Sequence, residues 1–309
     1  MKNIFAFSLV LISAFNAYGA EVLDLNTALQ NTYKACVDID DNLHELKVLA
    51  GVNTAVTAVG TGLGVGAAAT GFAKADKDTK AKKLADKLNY NKQTVNVMPS
   101  DEEMNAFAEA FKSSADIEKE FDKLRKQSKT LGNWRTGLLA GNTATNVAGA
   151  IISSRTINKD NIKGQIESCV SATQALNAAI TAAKLNGEYI DEAQNIYNAC
   201  REYEFIDVSA INKRGTGAMI SASIGAGLGG IGTITSGVAN SESVRKDKLD
   251  VSEKTDADWD KEKNLNTAAN VLSVGATAAS ATATIFNATQ IAAIKKVAKV
   301  SESCTGALK

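Results

Sequence analysis

One proline, one histidine and few aromatic side chains set the first limits on this chain of 309 residues. With only Pro99 to interrupt it, the chain favours long continuous helices. Aromatics make up 6%, so any core is built from Ala, Val, Ile and Gly rather than large rings. Lys plus Arg and Asp plus Glu each total 34, which leaves no basic field to attract nucleic acid. No Cys-x-x-Cys occurs, so zinc and thioredoxin-type chemistry lack their usual ligands. Val and Ile rarely alternate with polar residues, which argues against strands. The expected fold is all-α.

What is present is small-residue patterning. In residues 215–240, Gly217, Ser221, Gly225, Gly229, Thr233 and Gly237 recur every fourth position. On a helix such residues share one face and form a groove that a second backbone can approach closely. Residues 136–154 repeat the device with Gly137, Gly141, Thr145, Gly149 and Ser153, and residues 264–294 with Ala276, Ser280, Thr284 and Ala288. Residues 49–73 are a fourth uncharged stretch. The pattern resembles the glycine-zipper faces of membrane helices, which implies close helix packing and self-association.

The chain also resembles itself. The run Gln30 to Cys36 returns as Gln194 to Cys200 at an offset of 164, with five of seven positions identical. Gly60-Thr-Gly-Leu-Gly64 returns as Gly225-Ala-Gly-Leu-Gly229, Lys83-Leu84 as Lys248-Leu249, and Glu167-Ser168-Cys169 as Glu302-Ser303-Cys304. Four matches in one order imply a tandem duplication of helical hairpins. The expected domains are a leader at 1–20, a first hairpin unit at 21–185 and a second at 186–309. Asn186-Gly187 marks the break between them.

The leader reading rests on Lys2, an apolar run from Ile4 to Phe15, and Ala17-Tyr18-Gly19 as a small-x-small cleavage site. Export would place Cys36, Cys169, Cys200 and Cys304 in an oxidising compartment. Cys36 lies 15 residues before Gly51 and Cys169 lies 15 after Ser154. At 1.5 Å per residue both stand roughly 22 Å from their stretch, at the same open end. Cys36–Cys169 and Cys200–Cys304 are therefore the favoured pairs, each clasping one hairpin; Cys36–Cys200 with Cys169–Cys304 is the alternative.

The first connector, 74–132, contains a helix start at Pro99 to Glu103, with Ser100 as N-cap and Glu103 completing a capping box. Met104, Phe107, Phe111, Ile117, Phe121 and Leu124 follow at helical spacing and need an apolar partner. The second connector, 242–263, is short, mixed in charge and carries Trp259.

Each uncharged stretch is long enough to span a bilayer. Lys74, Lys77, Lys80, Lys82 and Lys83 beside the first agree with a positive-inside bias. Against this, the stretches hold Asn142, Asn146, Asn266, Asn270 and Asn287, and the second connector shows no positive bias. The alternative is a soluble secreted or periplasmic helical binding or adhesion module.

No catalytic constellation emerges. Gly225 to Gly230 fits GxGxxG but lacks a preceding strand, so its glycines are read as packing residues. His44 reads as a solvated helix residue, and Asp38-Asp40-Asp41 and Asp256-Asp258-Asp260 as charged faces without the glycine of a calcium loop. Trp134 is placed as an interfacial anchor or a core residue, and Tyr33 and Tyr197 as packing over the disulfides. The sequence thus predicts an exported, membrane-integrated envelope protein with a structural or pore-forming role. It expects lipid and self-association as partners, and no enzyme activity, cofactor or nucleic acid.

Overall fold

The computed structural model describes residues 23–95, 104–158 and 162–309. The expected leader and the capping box at Ser100 to Glu103 lie outside these. Among the described residues there is no strand. The described residues form eight α-helices in order: α1 (Leu25–Cys36), α2 (Ile39–Val95), α3 (Met104–Asn158), α4 (Ile162–Leu185), α5 (Asp191–Cys200), α6 (Ser209–Ala239), α7 (Glu242–Arg245) and α8 (Asp256–Leu308). Short 3-10 turns occupy Arg201–Phe205 and Val251–Glu253. The scarcity of proline is expressed directly: α2, α3 and α8 run 57, 55 and 53 residues.

The chain separates into two compact units. Unit 1 takes residues 1–49, 157–213 and 290–309; unit 2 takes 50–156 and 214–289.

Unit 1 follows the ordinary rule of an apolar interior. Asp24 caps α1 by accepting from the Thr27 backbone N–H at 3.0 Å. Ile39, Leu43, Ile166, Leu176, Ile180, Ile196, Ile211 and Ile294 are buried. The outer face of α4 carries Lys163, Glu167, Ser171, Gln174, Asn177, Thr181 and Lys184. Helix α4 ends where the Asn186-Gly187 signal placed a break. Gly187 takes φ +76°, and the Glu188 and Gly187 N–H groups donate to the carbonyls of Ala183 and Lys184. That is a Schellman cap, and a side chain at Gly187 would be strained.

Both disulfides lie in unit 1. Cys36 bonds Cys169 and Cys200 bonds Cys304, the pairing that the spacing argument favoured. The sulfur atoms of Cys36, Cys169 and Cys304 all lie within 4.8 Å of one another, so the two bridges are neighbours. Tyr33 is 47% exposed, and Thr32 holds the buried position four residues before Cys36. Tyr197 instead lies beneath the Arg201 guanidinium at 5.9 Å. The buried tyrosine is Tyr203, and desolvation pushes its pKa up to about 12.

In unit 2, α2, α3, α6 and α8 pack along one another. Asn53 opposite Ser153 and Gly66 opposite Leu138 make α2 and α3 antiparallel. Gly217 opposite Phe286 and Gly275 opposite Leu228 do the same for α6 and α8. Of the amphipathic run on α3, the side chains of Met104, Phe107 and Phe111 lie outside those described, and Phe121 and Leu124 pack at one end of the unit. Phe121 and Leu124 join Ala81, Ala85 and Trp259, with the Phe121 and Trp259 rings edge to face at 6.5 Å.

Of the seven glycines named on the small faces, five stand close to a side chain of a neighbouring helix. A Cβ on Gly225 would meet Asn146 at 2.9 Å, one on Gly229 Thr143 at 2.6 Å, one on Gly149 Thr57 at 2.8 Å, one on Gly217 Phe286 at 3.0 Å and one on Gly141 Leu63 at 3.1 Å. Gly137 and Gly237 meet nothing within 4 Å and so contribute nothing to packing within the chain. The four-residue period drifts around a 3.6-residue helix, which carries one end of each of these two stripes, Gly137 and Gly237, off the contact face.

Candidate functional site

Unit 2 inverts the usual distribution of polarity. The segments 50–75, 134–154, 215–239 and 264–289 each exceed or approach 30 Å at about 1.5 Å per residue. Their exposed large side chains are Val52, Val59, Val65, Phe72, Trp134, Val147, Ile151, Ile220, Ile224, Ile231, Ile234, Val238, Val271, Val274 and Ile285. The other exposed positions are Ala, Gly, Ser and Thr, with Asn264 at the very start of the last segment. The only charged residues within these segments, Lys74 and Arg135, are both 0% exposed.

Polar groups line the axis instead. Asn53 Nδ2 donates to Ser153 Oγ at 2.7 Å and to Asn287 Oδ1 at 3.0 Å, which joins α2, α3 and α8. Further along, Asn142 Nδ2 donates to the Gly60 carbonyl at 2.6 Å and to Ser280 Oγ at 3.1 Å. Asn146 Nδ2 donates to the same Ser280 hydroxyl at 2.7 Å. The next layer holds Arg135, whose Nε donates to Ser236 at 2.8 Å while its two terminal nitrogens donate to Asn270 at 3.0 Å and Asn266 at 2.9 Å. Gly71 makes room for it, since a Cβ there would lie 3.1 Å from Arg135 Cδ. The asparagines that counted against membrane spans thus all face inward and are bonded across helices, which removes most of the cost of placing them away from water.

Beyond Arg135 the axis ends in a cluster of charge. Glu262, its side chain 2% exposed, is the hub. It accepts from Arg125 at 3.0 and 3.2 Å, from Lys254 at 2.7 Å and from Arg245 at 3.4 Å, and Lys74 Nζ stands 3.7 Å away. Asp78 accepts from Lys74 at 2.5 Å, from Arg125 at 3.3 Å, from Ser128, and from Asn266 at 3.2 Å. Asp247 bridges Arg125 and Arg245. The two arginines also donate to each other's backbone carbonyls, at 3.0 and 2.8 Å. Lys254 lies 3.6 Å from the centre of the Trp259 ring and Arg125 5.0 Å. Lys246 adopts the left-handed region at φ 49°, which turns the chain after α7 so that the Arg245 carbonyl can be shared by Arg125 and Lys254.

These contacts shape the titration of the cluster. Burial opposes the Arg125 charge, but Glu262, Asp247 and Asp78 together hold its pKa above the ordinary arginine value. Burial likewise opposes the Asp247 charge, and Arg125 and Arg245 outweigh it, so this carboxyl sits below its usual value. Burial dominates at Lys254 and lowers its pKa.

The sequence reading did not find this site. Lys74 was taken as a flanking charge and 242–263 as a mixed-charge connector, yet Lys74, Arg245, Lys254 and Glu262 are all buried. The available signal was Glu262, Asn266, Asn270 and Ser273 at spacings of four and three, one polar stripe on an otherwise apolar helix. The GxGxxG run lies inside α6, with Gly225 and Gly229 against Asn146 and Thr143, and is no phosphate loop. His44, Asp38 and Asp41 are exposed. Asp258 caps α8 by accepting from the Thr255 N–H at 3.1 Å and pairs with Lys246 at 2.8 Å.

Among the described residues three helices are long and apolar enough to cross a membrane: the one within Leu25–Asn89, α6 and α8. Helix α3 is not one of them, because Arg135, Asn142 and Asn146 lower its mean hydropathy even though they point inward. Compared with family models, curated proteins and solved structures, the chain matches none of them.

Proposed function

We propose that this is an exported, integral protein of the cell envelope whose unit 2 crosses a bilayer as a four-helix bundle, α3 included. The observation that carries the reading is the charge-free outer surface of four adjacent helix segments around a hydrogen-bonded polar axis. In water such a surface would be an extensive exposed apolar patch. In a bilayer it faces acyl chains over roughly the 30 Å of the hydrocarbon core, while the amides and hydroxyls satisfy one another inside. Trp134, 63% exposed at the start of its segment, is placed where an aromatic interfacial anchor sits. The close glycine contacts support a glycine-zipper bundle, and the matching Tyr-x-Ala-Cys and Gly-rich runs support a tandem duplication of the hairpins. The two disulfides support an oxidising compartment.

The role that follows is structural: a bundle that self-associates in the membrane and forms or lines a pore as an oligomer. Gly137 and Gly237, bare on the outer surface, leave places where another helix can approach closely. The axis of one chain is filled by bonded side chains, so conduction requires several copies or a rearranged axis. Alkaline-carbonate extraction of membranes, followed by immunoblot, tests the first step. Protein that stays in the pellet and needs detergent supports integration. Protein in the supernatant overturns it and favours the soluble helical module. Leakage of dye from vesicles carrying the purified protein tests the pore.

A further inference from the structure

The sulfur atoms of unit 1 form one cluster. Thr32 Oγ1 donates to the Ala172 carbonyl at 3.2 Å, which sets α1 antiparallel to α4 and brings Cys36 opposite Cys169. Helix α8 delivers Cys304 to the same place, and the Sγ atoms of Cys36, Cys169 and Cys304 all lie within 4.8 Å of one another. Cys200, the last residue of α5, joins the group through its bond to Cys304. All four cysteines are 0% exposed. Two bridges held apart cannot exchange. Two in contact can, because a thiolate released from one has only to reach the nearest sulfur of the other. The second pairing open from the sequence, Cys36–Cys200 with Cys169–Cys304, is therefore within reach of the folded chain.

We propose that the two disulfides form a redox-neutral exchange switch, with Cys304 as the sulfur through which the pairing changes. An external thiolate attacks Cys36 Sγ, forms a mixed disulfide and breaks the Cys36–Cys169 bond, releasing the Cys169 thiolate. That thiolate attacks Cys304 Sγ; the Cys169–Cys304 bond forms as Cys304–Cys200 breaks, and Cys200 leaves as a thiolate. Cys200 then attacks the mixed disulfide at Cys36 and expels the external thiolate unchanged. Two bridges are broken and two are made, with no net electron transfer. In the pairing of the structure the bridges tie α1 to α4 and α5 to α8. After exchange they tie α4 to α8 and α1 to α5. Because no sulfur is exposed, the exchange waits on a local opening that admits the thiol. This inference concerns unit 1 and does not depend on whether unit 2 crosses a bilayer.

The test incubates the purified full chain with a catalytic amount of reduced glutathione at about pH 8, then quenches it in acid, where thiols are protonated and exchange stops. Digestion with an acid-active protease and peptide mapping without reductant read the bridges. Cys169–Cys304 and Cys36–Cys200 should appear together, in roughly a tenth of the chains or more, with circular dichroism unchanged. Cys36→Ser needs no catalyst, because it leaves the Cys169 thiol beside the remaining bridge. It should yield Cys169–Cys304 with Cys200 free, at a rate rising about ten-fold per pH unit below the thiol pKa. A parent that keeps only Cys36–Cys169 and Cys200–Cys304 overturns the proposal, and it carries the test if Cys36→Ser fails to fold. A folded Cys36→Ser protein that retains Cys200–Cys304 alone, or that forms Cys169–Cys200 instead, overturns it as well.

Discussion

Glu262→Gln is the substitution that most directly probes the buried cluster. Glutamine keeps the shape of the side chain and one acceptor oxygen, but it removes the negative charge and turns an N–H2 group toward cations. Three cations donate to this carboxylate, at 2.7 to 3.4 Å, and Lys74 lies 3.7 Å away. After the change, two carboxylates would face the four cations of the cluster. Removing one partner from a buried ion pair costs about 3–5 kcal/mol, because the remaining charge is left without compensation. For a chain of this size that lowers the Tm by roughly 5–8 °C. Circular dichroism at 222 nm during a thermal scan reads the change, with Lys80→Ala as control. Lys80 pairs with Asp76 at 2.8 Å but both side chains are more than half exposed, so its loss costs less than about 1 kcal/mol. A Glu262→Gln protein melting within a degree or two of the parent would refute the reasoning, since it would mean that water already screens the cluster.

Other outcomes follow from the same geometry. Asp247 has a folded pKa below its ordinary value, so it contributes stability at neutral pH that is lost as the pH falls below about 4 through the folded pKa. Asp247→Asn should flatten the fall in Tm over that range, and an unchanged slope would count against the pairing. Gly229→Ala and Gly137→Ala should differ in sign. The first places a Cβ 2.6 Å from Thr143 and lowers the Tm; the second meets open space and stabilises the helix by up to about 1 kcal/mol. Serine at Cys36 and Cys169 together should cost about 2–5 kcal/mol, and peptide mapping without reductant should recover Cys36 joined to Cys169 and Cys200 to Cys304.

Local signals were read well from the chain, and cooperative ones were not. The helical class follows from a single proline and the absence of alternating patterns, and both are properties of short windows. Gly187 could be identified as a break because a left-handed residue after a helix selects glycine whatever surrounds it. The cysteine pairing was accessible because helix rise converts residue counts into lengths. The fully buried positions one turn before the cysteines are Thr32 and Ile196, while a residue three before a cysteine turns about 60° from it.

What the sequence by itself determined is therefore the helices, their approximate ends, their small faces and the cysteine pairs, all set by backbone sterics and spacing. Only the tertiary structure decided which face of each helix turns inward. When a helix carries both an apolar and a polar stripe, its periodicity is the same whether it sits in water or lipid, so the pattern alone cannot assign inside and outside. The burial of Lys74, Arg135 and Glu262 is not legible locally because the partners are distant in sequence: Arg125 and Glu262 are 137 residues apart and Arg135 and Asn270 are 135. Burial of such groups becomes tolerable only when four helices bring donors and acceptors together at once, and that condition exists in the folded bundle and in no segment of the chain taken alone.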